Sequence, residues 1–283
     1  MSLRIAKPTG SALRLAKPTG ASVRITPSWQ MPDDPDAATY IAAVEAADGQ
    51  ALETATRMAI NAFVKGCKAD GTWPALKASC ILAGARTLSG ALVPLVGAAP
   101  TNFNFVSGDY NRKTGLVGDG STKYLSSNRS HGSEPQNSRH LACYVSELNT
   151  NQPNPALMGS AYTATGWSYL ISRSATGSPA NRFEFGLVQG TYPAGVARST
   201  GFVGASRSSA SEIAGRAGGA SALYTAPSQT PNAGNVSVFQ GSTFAHDRVD
   251  ARLAFYSIGE SLNLTLLDAR VTALVAAFAA AIP

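Results

Sequence analysis

The sequence predicts a mainly β protein with helical additions, built as an antiparallel β-sandwich or jelly roll. From about residue 101, short runs rich in Val, Leu, Tyr and Phe recur every 10–15 residues between Gly, Ser and Asn turns. No helical pattern interrupts them, which excludes the alternating strands and helices of a parallel sheet. Only 14% of the 283 residues are charged, against about a quarter in an average domain.

Eight segments read as strands: 115–127, 140–148, 166–174, 182–190, 201–209, 222–227, 236–241 and 251–259. The run RFEFGLV within 182–190 alternates polar and apolar residues, the period of a strand with one buried face. Together they define a sandwich over 101–260.

Before it, residues 31–100 read as a helical module with a scaffold role. MPDDPD at 31–36 is a proline-rich, acidic break, with Asp36 the expected N-cap. Helices follow over 37–47 and 50–65, with Ile41, Val44, Leu52, Met58, Ile60 and Phe63 on their buried faces. A third helix is expected from Thr72 through 85, with Pro74 in its first turn, where a missing N–H costs little. Residues 261–283 form a closing helix capped by Ser261, with Leu264, Leu267, Val271, Leu274 and Phe278 along one stripe.

Residues 1–30 are different. LRIAKPTG at 3–10 recurs as LRLAKPTG at 13–20, and a third copy begins at Val23 and degenerates at Thr26-Pro27. The period of ten aligns Leu3, Leu13 and Val23; Arg4, Arg14 and Arg24; and Ile5, Leu15 and Ile25. Extended, each copy puts two aliphatic side chains on one side and an arginine on the other. Lys7 and Lys17 each open a Lys-Pro-Thr-Gly turn. Strands this short cannot build a core, so they must lie on something else. They read as an extended docking arm that adds strands to a neighbouring subunit. Packing on the protein's own body is the alternative.

Residues 1–28 hold five basic residues and no acid, nearly all of the net charge of +6. The remainder is close to neutral, which argues against a nucleic-acid partner. The three cysteines, Cys67, Cys80 and Cys143, are odd in number and form no C-x-x-C pair, the usage of buried free thiols in a reducing cytoplasm. No secretory signal is visible, and the apolar run VTALVAAFAAAI reads as too short for a bilayer, so no membrane partner is expected.

The segments NFNFVSGDYNRKTGLVGDGSTKYLSSNR, QNSRHLACYVSEL and ARLAFYSIGESLNLTLLDARVTALVAAFAAAI resemble tailed-bacteriophage virion structural proteins that carry a concanavalin A-like (laminin G-like) jelly roll. The resemblance covers roughly 36–283 and leaves the arm outside it. It implies a non-enzymatic tail-fibre or baseplate-peripheral component, assembled in the bacterial host cytoplasm and located in the virion. The jelly roll would then be displayed for host-surface glycan recognition, and the arm would dock on other virion proteins. A capsid decoration protein is the alternative, and a carbohydrate-active enzyme a weaker one.

Glycoside hydrolysis needs two carboxylates facing the sugar. The glucanases of this fold carry them as Glu-x-Asp-x-(x)-Glu on one strand, whereas Glu147, Glu184 and Glu212 here have no acidic neighbour at strand spacing. No Gly-x-Ser-x-Gly elbow occurs, since GASRS fails at its last position. No enzyme is therefore predicted and no cofactor is required. His131, His140 and His246 are scattered. Asp109 and Asp119 are weak calcium candidates on the resemblance, though GDGST at 118–122 is more simply a tight turn. Trp167 and Tyr169 alternate on one strand as a glycan-stacking platform or as core. A homo-oligomer is expected, with a homotrimer favoured, and the stripe Leu267, Val271, Leu274 and Phe278, among small alanines, lies either at its interface or packed under the jelly roll.

Overall fold

The computed structural model describes residues 32–150, 155–160, 166–172, 180–187, 196–241 and 247–283, with the backbone alone at Tyr169, Ile171 and 180–187. The arm, with its repeats from Leu3 to Ile25, lies outside the described residues.

The described chain opens with α1 (Pro35–Asp48) and α2 (Thr54–Ala69). The N-cap of α1 is Asp34 and not Asp36: its carboxylate accepts from Asp36 N and Ala37 N at 3.0 and 3.2 Å. Pro35, with no N–H to satisfy, fits the first helical position and shifts the start forward.

Next comes β1 (Leu76–Ile81), where the sequence predicts a helix. Ala78 and Cys80 enter one core and Ile81 another, so the strand is buried on both faces. An apolar run without alternation cannot be told from a buried helix by periodicity, and Pro74 belongs to a single 3₁₀ turn over Trp73–Ala75.

After α3 (Leu88–Ala91) come β2 (Pro94–Val96), β3 (Thr101–Phe103), β4 (Tyr110–Asn111), β5 (Gly115–Val117), β6 (Tyr124–Ser130), β7 (Arg139–Glu147) and β8 (Ala156–Ser160). Then follow β9 (Trp167–Ser172), β10 (Ala180–Leu187), β11 (Val196–Ala197), β12 (Gly201–Arg207), β13 (Glu212–Ala217), β14 (Ala220–Thr225), β15 (Asn235–Val238), β16 (Arg252–Gly259) and α4 (Leu264–Ala281). The single run expected over 115–127 is two strands, β5 and β6, divided by the turn at Asp119. The strand β8 carries glycine and is buried throughout, whereas β13 carries glycine yet buries alternate residues; both are held by pairing with neighbours.

The fold is an antiparallel β-sandwich. One sheet runs β14-β13-β12-β7-β16-β1-β2, with β5 joined to β16 and β4 to β5; the other runs β11-β10-β9-β8-β15-β6-β3. The chain crosses between sheets at β6–β7–β8 and again at β14–β15–β16, which is jelly-roll winding.

Two cores follow from strand alternation. Leu141, Cys143 and Val145 of β7 point between the sheets with Leu125, Leu170, Val203, Val238 and Tyr256. Ala142 of β7, Phe202 of β12 and Phe255 of β16 point the other way, under α1, α2 and α4. The Phe63 and Phe255 rings meet edge to face there at 5.8 Å.

Asn263, not Ser261, caps α4, its side-chain oxygen accepting from Thr265 N and Leu266 N. Ser261 is occupied with Ser138, 3.1 Å away. Leu267, Val271, Leu274 and Phe278 are buried within the chain, against α2 and the first sheet, each contributing about 1.5–3 kcal/mol. The helix is thus packed on the sandwich, one of the two placements its stripe allows. At 18 residues α4 is long and apolar enough to cross a membrane, more than the short run suggested, yet it forms a layer of the sandwich. Asp268 on its inner side is nearly buried and bound to Arg216 of β13 at 2.7 Å.

Candidate functional site

The two outer faces of the sandwich differ. Helices cover the first sheet, whereas no described helix lies over the second. On that open face, register aligns one row across six strands: Thr101, Ser126, Ser237, Gly159, Tyr169 and Glu184. The alternate positions, Leu125, Val238, Met158 and Leu170, fill the core. Thr101 in this row is exposed, Ser126 and Ser237 are half-buried, and Gly159 is buried. Trp167, on the same pleat as Tyr169, is half-buried. The Tyr169 and Glu184 side chains lie outside the described residues.

At the β3 edge of this face, Phe103 and Tyr124 are cross-strand partners, their rings stacked at 4.3 Å and 4°. The Arg248 guanidinium sits 5.1 Å from the Tyr124 ring, and its Nε donates to Gln240 Oε1 at 2.8 Å. Phe103 is 36% exposed. The NFNF run would place Phe103 and Phe105 on one face of a strand. Asn104 instead adopts φ +68° and donates to Thr122 O, which turns Phe105 into the core against Phe239. Asparagine tolerates the left-handed region better than most residues. Sequence reasoning missed this aromatic pair, because alternation alone cannot show which phenylalanine stays outside. The Asn after Phe103 was the available signal.

The calcium candidates are otherwise engaged. Burial opposes the charge on Asp119, yet bonds from Thr122 Oγ1 and from the Lys123, Ser121 and Thr122 amides hold its carboxyl well below the usual range. Asp109 accepts from Val106 N and pairs with Lys123 at 2.6 Å. A cation would have to displace that ammonium. Among the described residues, no group of three His, Cys, Asp or Glu could hold a metal.

Two of the acids on or beside the described strands are held by arginines. Glu147 pairs with Arg252 at 3.1 Å, and buried Glu134 accepts from Arg129 Nε at 2.6 Å. Two buried arginines, Arg139 of β7 and Arg207 of β12, are cross-strand partners at one end of the inter-sheet core. Burial brings each guanidinium down to about 10. Arg139 Nη1 lies 3.2 Å from His131 Nε2, and since arginine only donates, that nitrogen accepts. His140 is separate: its Nδ1 donates to Glu260 O at 2.6 Å, and Ser257 Oγ lies 3.0 Å from its Nε2. Burial lowers His131 to about 3, aided by the Arg139 charge, and His140 to about 4. Both are neutral structural groups, and His246 lies outside the described residues.

The described chain begins on the helical side. Asp34 N donates to Asn61 Oδ1 at 3.1 Å, Lys65 pairs with Asp33 at 2.7 Å, and Lys68 pairs with Asp34 and Asp36 at 2.7 and 2.6 Å. The start of α1 is thereby fastened to α2. Beside it runs a groove of about 420 Å³, walled by Asp36, Tyr40 and Ala43 of α1, by Trp73, and by Leu95 and Val96 of β2.

No family model and no curated protein matches this chain. Among solved structures, it is similar to domain 4 of AbnA, a GH43 extracellular arabinanase from Geobacillus stearothermophilus, in complex with arabinotriose. That alignment has 12% identity and a TM-score of 0.41, over 62% of this chain and 82% of that one. The botulinum neurotoxin serotype D binding domain aligns at 9% identity and a TM-score of 0.46, over 70% of this chain and 51% of that one. Trypanosoma rangeli sialidase aligns at 11% identity and a TM-score of 0.43, over 77% of this chain and 39% of that one.

Proposed function

We propose that this chain is a non-enzymatic structural protein of a tailed-phage virion, a tail-fibre or baseplate-peripheral component. Its N-terminal arm anchors it and its second sheet is presented outward. The observation that carries this reading is the two-sidedness of the sandwich. Helices cover one sheet and hold the start of the described chain, while no described helix covers the opposite sheet. A protein held by an arm at one side offers its other side to whatever approaches the particle. Glu147, held by Arg252, and Glu134, held by Arg129, support a binding role over hydrolysis at those two positions.

In this reading the open sheet contacts host-surface glycan. The exposed ring of Phe103 and the half-buried Trp167 supply apolar faces for sugar rings, and Thr101, Ser126 and Ser237 supply hydroxyls. The test is deletion of residues 2–28 in the phage genome. The deleted protein should remain folded and soluble and should be missing from purified particles. Normal copy number in the particle would overturn the anchoring role. Electron microscopy of particles labelled with an antibody against this chain separates a tail position from a capsid decoration.

A further inference from the structure

We infer that the third, degenerate repeat of the arm, Val23-Arg24-Ile25, docks in the groove between α1 and β2 of its own chain, adding a strand to the β2 edge and leaving the two intact repeats free for the particle.

This rests on the reading of the arm as an anchor, and geometry supplies the rest. The strand β2 ends its sheet, so its outer backbone edge has no partner among the described strands. Such an edge is a template for an extended segment. The groove beside it begins at Asp36, in the first turn of α1, where the arm joins the body. From Asp36 to Ala43 the helix rises about 10 Å. Residues 26–32, the link from Ile25 to the described chain, can span roughly 23 Å when extended. The third repeat can therefore turn back along the whole groove. The opposite edge of the same sheet, β14, lies six strand spacings away, about 29 Å, beyond that link.

Side-chain chemistry agrees. In an extended segment Val23 and Ile25 share one side, matching the apolar wall of Tyr40, Ala43, Trp73 and Leu95. Arg24 falls on the other side, within reach of the half-exposed Asp36 carboxylate at the rim. A short tether raises the effective concentration to the millimolar range, which favours docking of a short strand. The division of labour also accounts for the sequence. Two nearly identical copies, each closed by Lys-Pro-Thr-Gly, suit equivalent sites on a partner, whereas the copy that ends in Thr26-Pro27 has diverged to fit its own body.

Hydrogen–deuterium exchange on the full chain tests this without a virion. Amides of 23–25 should exchange at least about tenfold more slowly than those of 13–15, at the same ratio across a hundredfold dilution. Ala43 is exposed, so Ala43→Arg should fill the groove without unfolding the body, and the two rates should become equal. Ile25→Asp should do the same from the arm side. Equal rates in the unmodified chain would overturn the inference, as would protection that survives both variants. Protection that fades on dilution would also overturn it and assign the groove to a second copy. Deleting only residues 2–20 keeps the two questions apart. Loss from particles with 23–25 still protected supports both the anchor and the docking, whereas normal incorporation with protection intact refutes the anchor alone.

Discussion

The guanidinium of Arg270 in α4 grips both carboxylate oxygens of Asp70, just past the end of α2, at 2.7 and 2.8 Å across 200 residues of sequence. Gly66 makes room for it, since a Cβ there would stand 2.7 Å from the Arg270 side chain. This clasp closes the helical layer that covers one sheet. It is partly exposed, so its stabilisation is small beside the apolar stripe it fastens. Arg270→Ala should lower stability by at most about 1 kcal/mol. Phe278→Ala, which opens a cavity under the same layer, should cost about 3–5 kcal/mol. Urea unfolding of both variants measures the ratio.

Gly84 makes room in the same way for Phe278 of α4. It adopts φ +86°, and a Cβ would lie 2.8 Å from the Phe278 ring. Gly84→Ala therefore combines backbone strain with a clash in a packed core, at a cost of about 1–3 kcal/mol or more. A thermal melt within a degree of the parent would show that α4 is not seated as described.

Asn104 decides which phenylalanine of NFNF remains outside. Asn104→Ala should cost about 1–2 kcal/mol, because alanine pays the left-handed strain. Asn104→Gly should cost less, since glycine adopts that conformation freely. Equal costs would place the effect in the lost bond to Thr122 O instead.

Stability should also fall on acidification before the carboxylates titrate. Burial holds His131 at about 3 and His140 at about 4 in the folded chain, against an ordinary value of about 6.5 once unfolded. The unfolded chain then binds more protons, so stability is full above pH 6.5 and declines as pH falls toward 4. With both histidines contributing, the slope in the middle of that window approaches about 2.7 kcal/mol per pH unit. Urea midpoints at pH 7, 6 and 5 check it. A flat profile would mean that neither imidazole is desolvated.

If the open sheet meets glycan, Phe103→Ala and Trp167→Ala should abolish binding on a glycan array. Phe103 is 36% exposed and stacked on Tyr124, so the first of these should also cost about 1–2 kcal/mol of stability, and binding is compared with the variant folded. No reducing ends should be released from host polysaccharide. Release that disappears in Glu184→Gln would establish catalysis and overturn the non-enzymatic reading.

Much of the sandwich was legible because its strands bury one face and alternate, or stand between clear turns. The stripe of α4 was legible too, though not what it covers, since a helix lying on its own sheet and one at an interface show the same period. What stayed hidden was buried on both sides. The run LKASCI of β1 carries no alternation, because Ala78 and Cys80 enter one core and Ile81 the other. The aromatic pair was hidden for a different reason. Phe103 and Tyr124 meet only through a register between β3 and β6 that no local pattern encodes.

The two-sidedness of the molecule is tested most directly by thiol mapping on assembled particles. Cys67, Cys80 and Cys143 are buried, and burial pushes the Cys67 and Cys80 thiols up to about 12, so the background with a maleimide is low. Thr101→Cys puts a thiol on the exposed edge of the open sheet, and Leu266→Cys puts one on the outer side of α4, where the leucine is 37% exposed. In particles, Thr101→Cys should label as fast as in the free protein, while Leu266→Cys should slow at least about tenfold as the helical side faces the particle. The opposite order, with the helical side labelled and the sheet protected, would contradict the account.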